Sequence, residues 1–239
     1  MKILGLDSSG LVAGAAIVED DNLLAEYTVN YKKTHSQTLL PMLDEIVRMT
    51  ELDLNTLDAI AVAGGPGSFT GLRIGSATAK GLGLALKKPL IQIPTVDGLA
   101  YNLYGSRDMV CPLMDARRNQ TYTGLYEFTE EGMQVLKPQC AVGIDEIIIE
   151  INERNRPVIF LGDGVPVFRS YIEENCQVPC SFAPAHMNKQ RAASIAALGL
   201  NYYREGNIQT AAQHRPDYLR LAQAERERLA RERAGQDTV

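Results

Sequence analysis

Short apolar runs alternate with amphipathic stretches along this chain, and their order predicts its elements. Lys2-Ile3-Leu4-Gly5-Leu6 is a buried-strand run that ends in the turn Asp7-Ser8-Ser9-Gly10. Ala13 to Glu19 and Leu23 to Val29 predict two further strands, with Glu19-Asp20-Asp21-Asn22 as the hairpin between them. Thr34 and Gln37 have capping-box spacing ahead of a helix, Leu39 to Met49, in which Leu39, Leu43, Ile46 and Val47 share a face. Pro41 implies either a first turn that starts later than Thr34 or a kink. Leu57 to Ala63 reads as the next strand. Three strands, a helix, a strand and a helix predict an α/β unit with a mixed sheet.

The stretch Val62 to Ala100 is the most distinctive. Gly64-Gly65-Pro66-Gly67-Ser68 stops an apolar strand with residues that suit tight turns, and Ser68 or Thr70 can cap the helix that follows, Phe69 to Leu86. Gly71, Gly75, Ala79 and Gly83 recur every four residues and form one stripe along that helix. Gly75, Gly81 and Gly83 lie in its interior and together cost roughly 3 kcal/mol relative to alanine, so close approach of another backbone is expected. The remaining positions leave almost no polar face, which predicts cover on both sides: its own sheet on one, a second layer on the other.

A related order then repeats. Leu90 to Ile93 is a strand and Val96 to Tyr104 a short helix. Asp108 to Met114 is a strand ending in Asp115-Ala116-Arg117-Arg118-Asn119-Gln120, and Thr121 to Phe128 is another, with a hairpin signal at Thr129 to Gly132. Asp7 and Asp115 occupy the same place, the turn after a first strand, which predicts an internal repeat of one βββαβα unit. A helix at Ile144 to Asn152, a strand at Val158 to Gly162 with its turn Gly162-Asp163-Gly164, and a helix at Pro166 to Asn175 follow. Asn188 to Arg204 is amphipathic, with Ala192, Ile195, Ala196, Leu198 and Gly199 on a small-residue face. His214 to Arg220 is irregular, and Gln223 to Ala234 alternates charge like a solvated helix or tail.

Composition narrows the chemistry. Across 239 residues, 29 acidic against 24 basic side chains give a net charge of −5, which argues against a dedicated nucleic-acid binder. No apolar run suits a signal peptide or a membrane span, and Cys111, Cys140, Cys176 and Cys180 read as reduced thiols, so a cytoplasmic protein is expected. Cys176 and Cys180 form a C-x3-C pair with nothing nearby to complete a zinc set; packing or surface thiols is the simpler reading. The glycine-rich turn matches neither the P-loop nor the dinucleotide-binding spacing. His35, His186 and His214 have no metal-ligand spacing, and Ser8, Ser9 and Ser68 lack an evident general base. Asp7 and Asp115 could face each other across a cleft and hold Mg²⁺ through water, yet Ala116 to Gln120 is bulky where a phosphate favours glycine.

DSS near the N-terminus, the His35-Ser36-Gln37 to Leu40-Pro41 segment, GGPGSFTGLRIG, PTVDGLA and the late PDYLR resemble the TsaB (YeaZ) family from residue 1 to about 220. The resemblance implies a duplicated actin/hexokinase/Hsp70-like (ASKHA) fold with two mixed-sheet subdomains, residues 1–104 and 105–220, followed by a charged segment, 221–239. It implies a non-catalytic subunit, with no cofactor and no metal. Such a subunit heterodimerises with and activates the catalytic paralogue TsaD, in a complex with TsaE, for threonylcarbamoyl transfer to adenosine 37 of tRNA. Contact with tRNA would be indirect or weak, and the free chain could pair with itself. Where TsaD reads N-H-x-E-G-H, the two histidine places hold Thr95 and Leu99 here. The partner-binding set implied is His35, Leu39, Leu43, Ile46, Phe69, Gly71, Leu72, Gly75, Ala79 and Gly83, with Asp7, Ser8 and Asp115 as a vestigial nucleotide cleft. The alternatives are a free-standing ASKHA-type ATP-dependent phosphotransferase built on Asp7 and Asp115, and a metallopeptidase, which the missing histidines disfavour.

Overall fold

The computed structural model describes residues 1–31 and 35–219; the cap residue Thr34 and the charged segment 221–239 lie outside them. One pattern runs through the chain twice. In the first half β1 (Lys2–Asp7), β2 (Ala13–Glu19) and β3 (Asn22–Val29) form a meander. Then come α1 (His35–Thr50), β4 (Ala59–Ala63), α2 (Phe69–Leu86), β5 (Leu90–Ile93) and α3 (Thr95–Ala100). In the second half β6 (Met109–Asp115), β7 (Gln120–Thr129) and β8 (Gly132–Gly143) repeat the meander. They are followed by α4 (Ile144–Arg154), β9 (Val158–Leu161), α5 (Val165–Asn175), β10 (Cys180–Phe182) and α6 (Ala192–Arg204). The sheet orders are β3-β2-β1-β4-β5 and β8-β7-β6-β9-β10. Each sheet pairs its first three strands antiparallel and its last three parallel. The repeat expected from Asp7 and Asp115 is present, and both aspartates end the first strand of their unit. The helix at Pro41 starts at His35, so the proline sits inside it, on an exposed position.

The first sheet is covered on both faces, which is why its central strands read as unbroken apolar runs rather than alternating ones. Leu4, Leu6, Ile60 and Val62 point to one face, where Leu39, Met42, Leu43 and Ile46 of α1 and Ala79 of α2 meet them. Ile3, Ala59, Ala61, Ile91 and Ile93 point to the other, against Ile195, Ala196 and Leu198 of α6. Small residues set the spacing there. A Cβ at Gly5 would sit 2.3 Å from the Ala192 carbonyl oxygen, and one at Gly199 would sit 2.7 Å from the Ala61 Cβ. The small-residue face of α6 is therefore a sheet contact. The division at residue 104 separates the two sheets but needs one correction: α6, expected in the second subdomain, returns to pack on the first sheet.

The glycine stripe of α2 also needs correcting. Gly71, Gly75, Ala79 and Gly83 are all buried, against this chain's own sheet. A Cβ at Gly71 would lie 2.0 Å from the Ser8 carbonyl oxygen, one at Gly75 would lie 2.6 Å from Ser8 Oγ, and one at Gly83 would lie 2.9 Å from Leu90. Close packing accompanies Gly71, Gly75 and Gly83, but what they approach is this chain's own turn after β1 and Leu90 of β5. Leu39, Leu43, Ile46 and Leu72, expected at a partner, are core residues exposed by no more than 4%. The sequence shows that α2 is apolar nearly all round; its charged residues Arg73 and Lys80, seven apart, are what mark the side turned from the sheet. The glycine that faces outward is Gly81, which has nothing within 4 Å of a built Cβ.

Two substitutions separate the faces. Gly71→Ala is expected to destabilise the chain by about 2 kcal/mol, because the atom it meets is backbone that cannot rotate away. Gly81→Ala is expected to stabilise it by about 0.5–1 kcal/mol through helix propensity alone. Urea unfolding of both variants checks this; equal effects would place the stripe wrongly.

Candidate functional site

Two surfaces deserve the name of site: the cleft between the lobes and the outer face of the first-lobe helices. At the cleft, β1 leads into Ser8-Ser9-Gly10 and β4 leads into Gly64-Gly65-Pro66-Gly67. The two turns are locked together. The Ser68 amide donates to the Ser9 carbonyl at 2.6 Å, and a Cβ at Gly67 would come within 2.3 Å of that same oxygen. The Gly64 amide donates to Ile93 O at 2.8 Å, the Gly65 amide to Thr95 Oγ1 at 3.1 Å and the Gly71 amide to the N-cap Ser68 Oγ at 3.3 Å. Gly65, at φ +118°, takes a conformation open to glycine and is pressed against the Asp217 carbonyl. The glycine-rich turn thus directs these amides into the protein, and as a phosphate cradle it is poorly equipped.

Of the residues expected to form a nucleotide cleft, the structure keeps one in the open. Asp7 is 1% exposed and accepts bonds from the Ser9 amide at 2.8 Å and the Ser9 hydroxyl at 2.6 Å. Burial raises its pKa, and those bonds partly oppose the rise. Ser8 is buried as well and donates to the Gly71 carbonyl at 2.8 Å. Asp115 does line the cleft, a space of about 560 Å³ that it shares with Ser9, His35, Phe69, Arg117 and Asp163. Asp163, the residue sequence reasoning passed over, accepts the Asp115 amide at 3.3 Å, and burial followed by the Asp115 charge raises its pKa. Its signal was present: Gly162-Asp163-Gly164 follows β9 as Gly64-Gly65 follows β4. The β6–β7 turn carries Arg117, Arg118 and Asn119 at φ of +65°, +57° and +56°, left-handed backbone taken without glycine. Arg117 reaches Asp115 at 3.6 Å.

Thr95 and Leu99, at the two places where TsaD has histidines, are engaged in packing. Thr95 is fully buried and accepts the Gly65 amide. Leu99 is 1% exposed in the core that joins the lobes, with Val96, Val110, Met114 and Leu161. Between them Asp97 accepts the Tyr126 hydroxyl at 2.6 Å; burial raises its pKa, and the neighbouring Tyr126 and Tyr202 hydroxyls oppose the rise. Neither place offers a metal donor set, so a metal does not fit here.

On the other surface, α1 and α2 turn Leu40, Met49 and Leu84 outward at 52%, 69% and 70% exposure. Arg73, Ala77 and Gly81 share the exposed side of α2 with Leu84. Phe69 is half-buried at its start, with Arg73 3.9 Å above its ring and Tyr218 4.9 Å away. His35, also half-buried, holds the Gly10 carbonyl through Nε2 at 2.9 Å. Tyr218 belongs to a C-terminal strap. Gln209 pairs with Leu90 as a β-bridge, the Asp217 amide donates to Gly64 O at 2.6 Å, and His214 lies wholly buried beneath with Nδ1 3.0 Å from Gln209 Nε2.

Two lobes built from one repeated unit, with a cleft between them, make the duplicated actin/hexokinase/Hsp70-like fold. The family described as TsaD, tRNA N6-adenosine threonylcarbamoyltransferase, matches residues 22–228. The tRNA threonylcarbamoyladenosine biosynthesis protein TsaB of Bacillus subtilis is 33% identical over 94% of this chain and 96% of its own length. TsaB of Escherichia coli is 31% identical over 58% of this chain and 64% of its own. A crystal structure from Pseudomonas aeruginosa, of a protein with similarity to peptidase YeaZ, superposes with a TM-score of 0.79 at 25% identity, covering 92% of this chain and 99% of that one. The chain belongs to the TsaB (YeaZ) family of tRNA threonylcarbamoyladenosine biosynthesis proteins. Among the described residues, no helix is long and apolar enough to cross a membrane.

The strap makes a pH prediction. Burial, then the Lys80 charge, lowers the His214 pKa to about 4, whereas an unfolded histidine titrates near 6.5. Its folded value is depressed, so its stabilising contribution is full above about 6.5 and is lost as pH falls toward 4. Urea unfolding at pH 7 and pH 4 is expected to show the stability of the native chain relative to His214→Gln falling by up to about 3 kcal/mol. A constant difference would mean that the strap does not bury the ring.

Proposed function

We propose that this chain is a non-catalytic subunit required for threonylcarbamoyl transfer to adenosine 37 of tRNA, heterodimerising with and activating TsaD in a complex with TsaE. The observation that carries the reading is the use made of Thr95 and Leu99. The places that would hold metal in the catalytic paralogue are filled here by a hydroxyl bonded to backbone and a leucine in the interlobe core. Asp7, the first carboxylate a phosphotransferase would need, is closed inside its own turn, which weighs against that alternative. The protein works in the cytoplasm and touches tRNA indirectly or weakly.

Docking uses the outer faces of α1 and α2. Leu40 of α1 and Ala77, Gly81 and Leu84 of α2 are exposed positions with small residues among them, which lets a second pair of helices approach closely. Phe69, Arg73 and Tyr218 flank it with the aromatic and arginine side chains that anchor interfaces. His35 stands nearby at the cleft edge. Without TsaD the same face can pair with a second copy of the chain, an isologous contact that TsaD displaces.

The test is reconstitution of the modification from TsaD, TsaE, the threonylcarbamoyl-adenylate synthase and tRNA, with and without this chain. Activity is expected only with it; full activity in its absence would end the proposal. Gly81→Leu combined with Leu84→Glu is expected to weaken TsaD binding at least about tenfold by calorimetry, since each alters an exposed contact position. An unchanged circular dichroism spectrum would accompany that loss. Unchanged affinity would move the docking face elsewhere.

A further inference from the structure

Cys176 and Cys180 have no part in the function argued above. Cys176 caps the C-terminus of α5 and Cys180 opens β10, with Gln177-Val178-Pro179 between them. The loop is pinned: the Cys176 amide donates to Ile172 O at 2.8 Å, the Val158 amide takes Pro179 O at 3.0 Å, and Val178 is buried. Both cysteines are partly exposed and pack on the same apolar core of the second lobe. The Cys180 and Cys176 thiols are close enough to interact, and Cys176 Sγ donates to the Val178 carbonyl at 3.7 Å. The other two thiols are placed differently. Cys111 is wholly buried in β6, where burial pushes its pKa up to about 12. Cys140 is in β8, at the opposite edge of the sheet from β10.

We infer that Cys176 and Cys180 form a redox dithiol that closes to an intramolecular disulfide by exchange with a small disulfide such as oxidised glutathione. Cys176 attacks first, as the thiolate. Its thiolate bonds to one glutathione sulfur, the S–S bond of glutathione breaks, and one glutathione thiolate leaves. Cys180 then gives its proton to solvent, and its sulfur bonds to Cys176 Sγ and expels the second glutathione thiolate. The two cysteines lose two electrons and two protons. Glutathione disulfide gains the two electrons, and its two thiolates take up protons to become thiols. Because the two thiols are neighbours on one pinned loop, the second step is intramolecular and outruns attack by another thiol. The bond would tie the end of α5 to the edge strand β10.

The test treats the full chain with oxidised glutathione, quenches with iodoacetamide and maps peptides by mass spectrometry. Expected are a Cys176–Cys180 linked peptide lighter by two hydrogen atoms, glutathione on Cys140, and an unmodified Cys111. Cys180→Ser is expected to stop at a glutathione adduct on Cys176. The bridged chain is expected to melt about 4 °C above the reduced one. Glutathione adducts on Cys176 or Cys180 of the native chain without the linked peptide would overturn the inference. So would recovery of both as free thiols after prolonged exposure to excess oxidised glutathione.

Discussion

The seating of α2 on the turn after β1 is the contact on which the rest of the molecule depends. Gly67 and Gly71 bring that helix so close to Ser8 and Ser9 that no other side chain fits, and the Ser68 amide closes the contact with a bond of 2.6 Å. Three consequences follow from this one approach. The amides of the glycine-rich turn are drawn into the fold, where they cannot cradle a phosphate. Asp7 and Ser8 are buried beneath the helix, which takes them out of the cleft. The opposite side of α2, with Ala77, Gly81 and Leu84, is turned to the surface.

Around that contact the first lobe is a three-layer stack, with α1 and α2 on one side of its sheet and α6 on the other. The second half of the chain repeats the topology, and α3 with β6 and β7 joins the lobes through a core of their own. Leu99 packs there, and Asp97 accepts the Tyr126 hydroxyl. The cleft keeps two carboxylates, Asp115 and Asp163, with Arg117 over the first of them. Its shape is that of the superfamily, while its side chains are engaged mostly with one another.

Much of this was legible in the residues. The strands of the first meander, the first two of the second, the helix at 69–86 and the duplication follow from apolar runs and turn chemistry, which are local signals, whereas β8 is signalled only by the hairpin before it. The short edge strand β10 and the register of β8 were not, since three residues carry no period and pairing is set by tertiary context. The glycine stripe is the instructive error. Helical spacing groups Gly71, Gly75, Ala79 and Gly83 on one face, but in a helix apolar nearly all round only Arg73 and Lys80 mark which face turns from the sheet. Burial decides it, and burial is not local. The return of α6 to the first sheet escaped for the same reason, although its small residues had marked it for close packing.

The central claim is that the function of this chain lies on the outer face of α1 and α2 and has left the cleft. Hydrogen exchange measured on the chain alone, with Mg-ATP and with TsaD tests it most directly. The account predicts slowed exchange across 35–50 and 69–86 when TsaD is added, and no change at 114–123 or 162–165 when Mg-ATP is added. Protection of the cleft segments by Mg-ATP, with the two helices unaffected by TsaD, would contradict it.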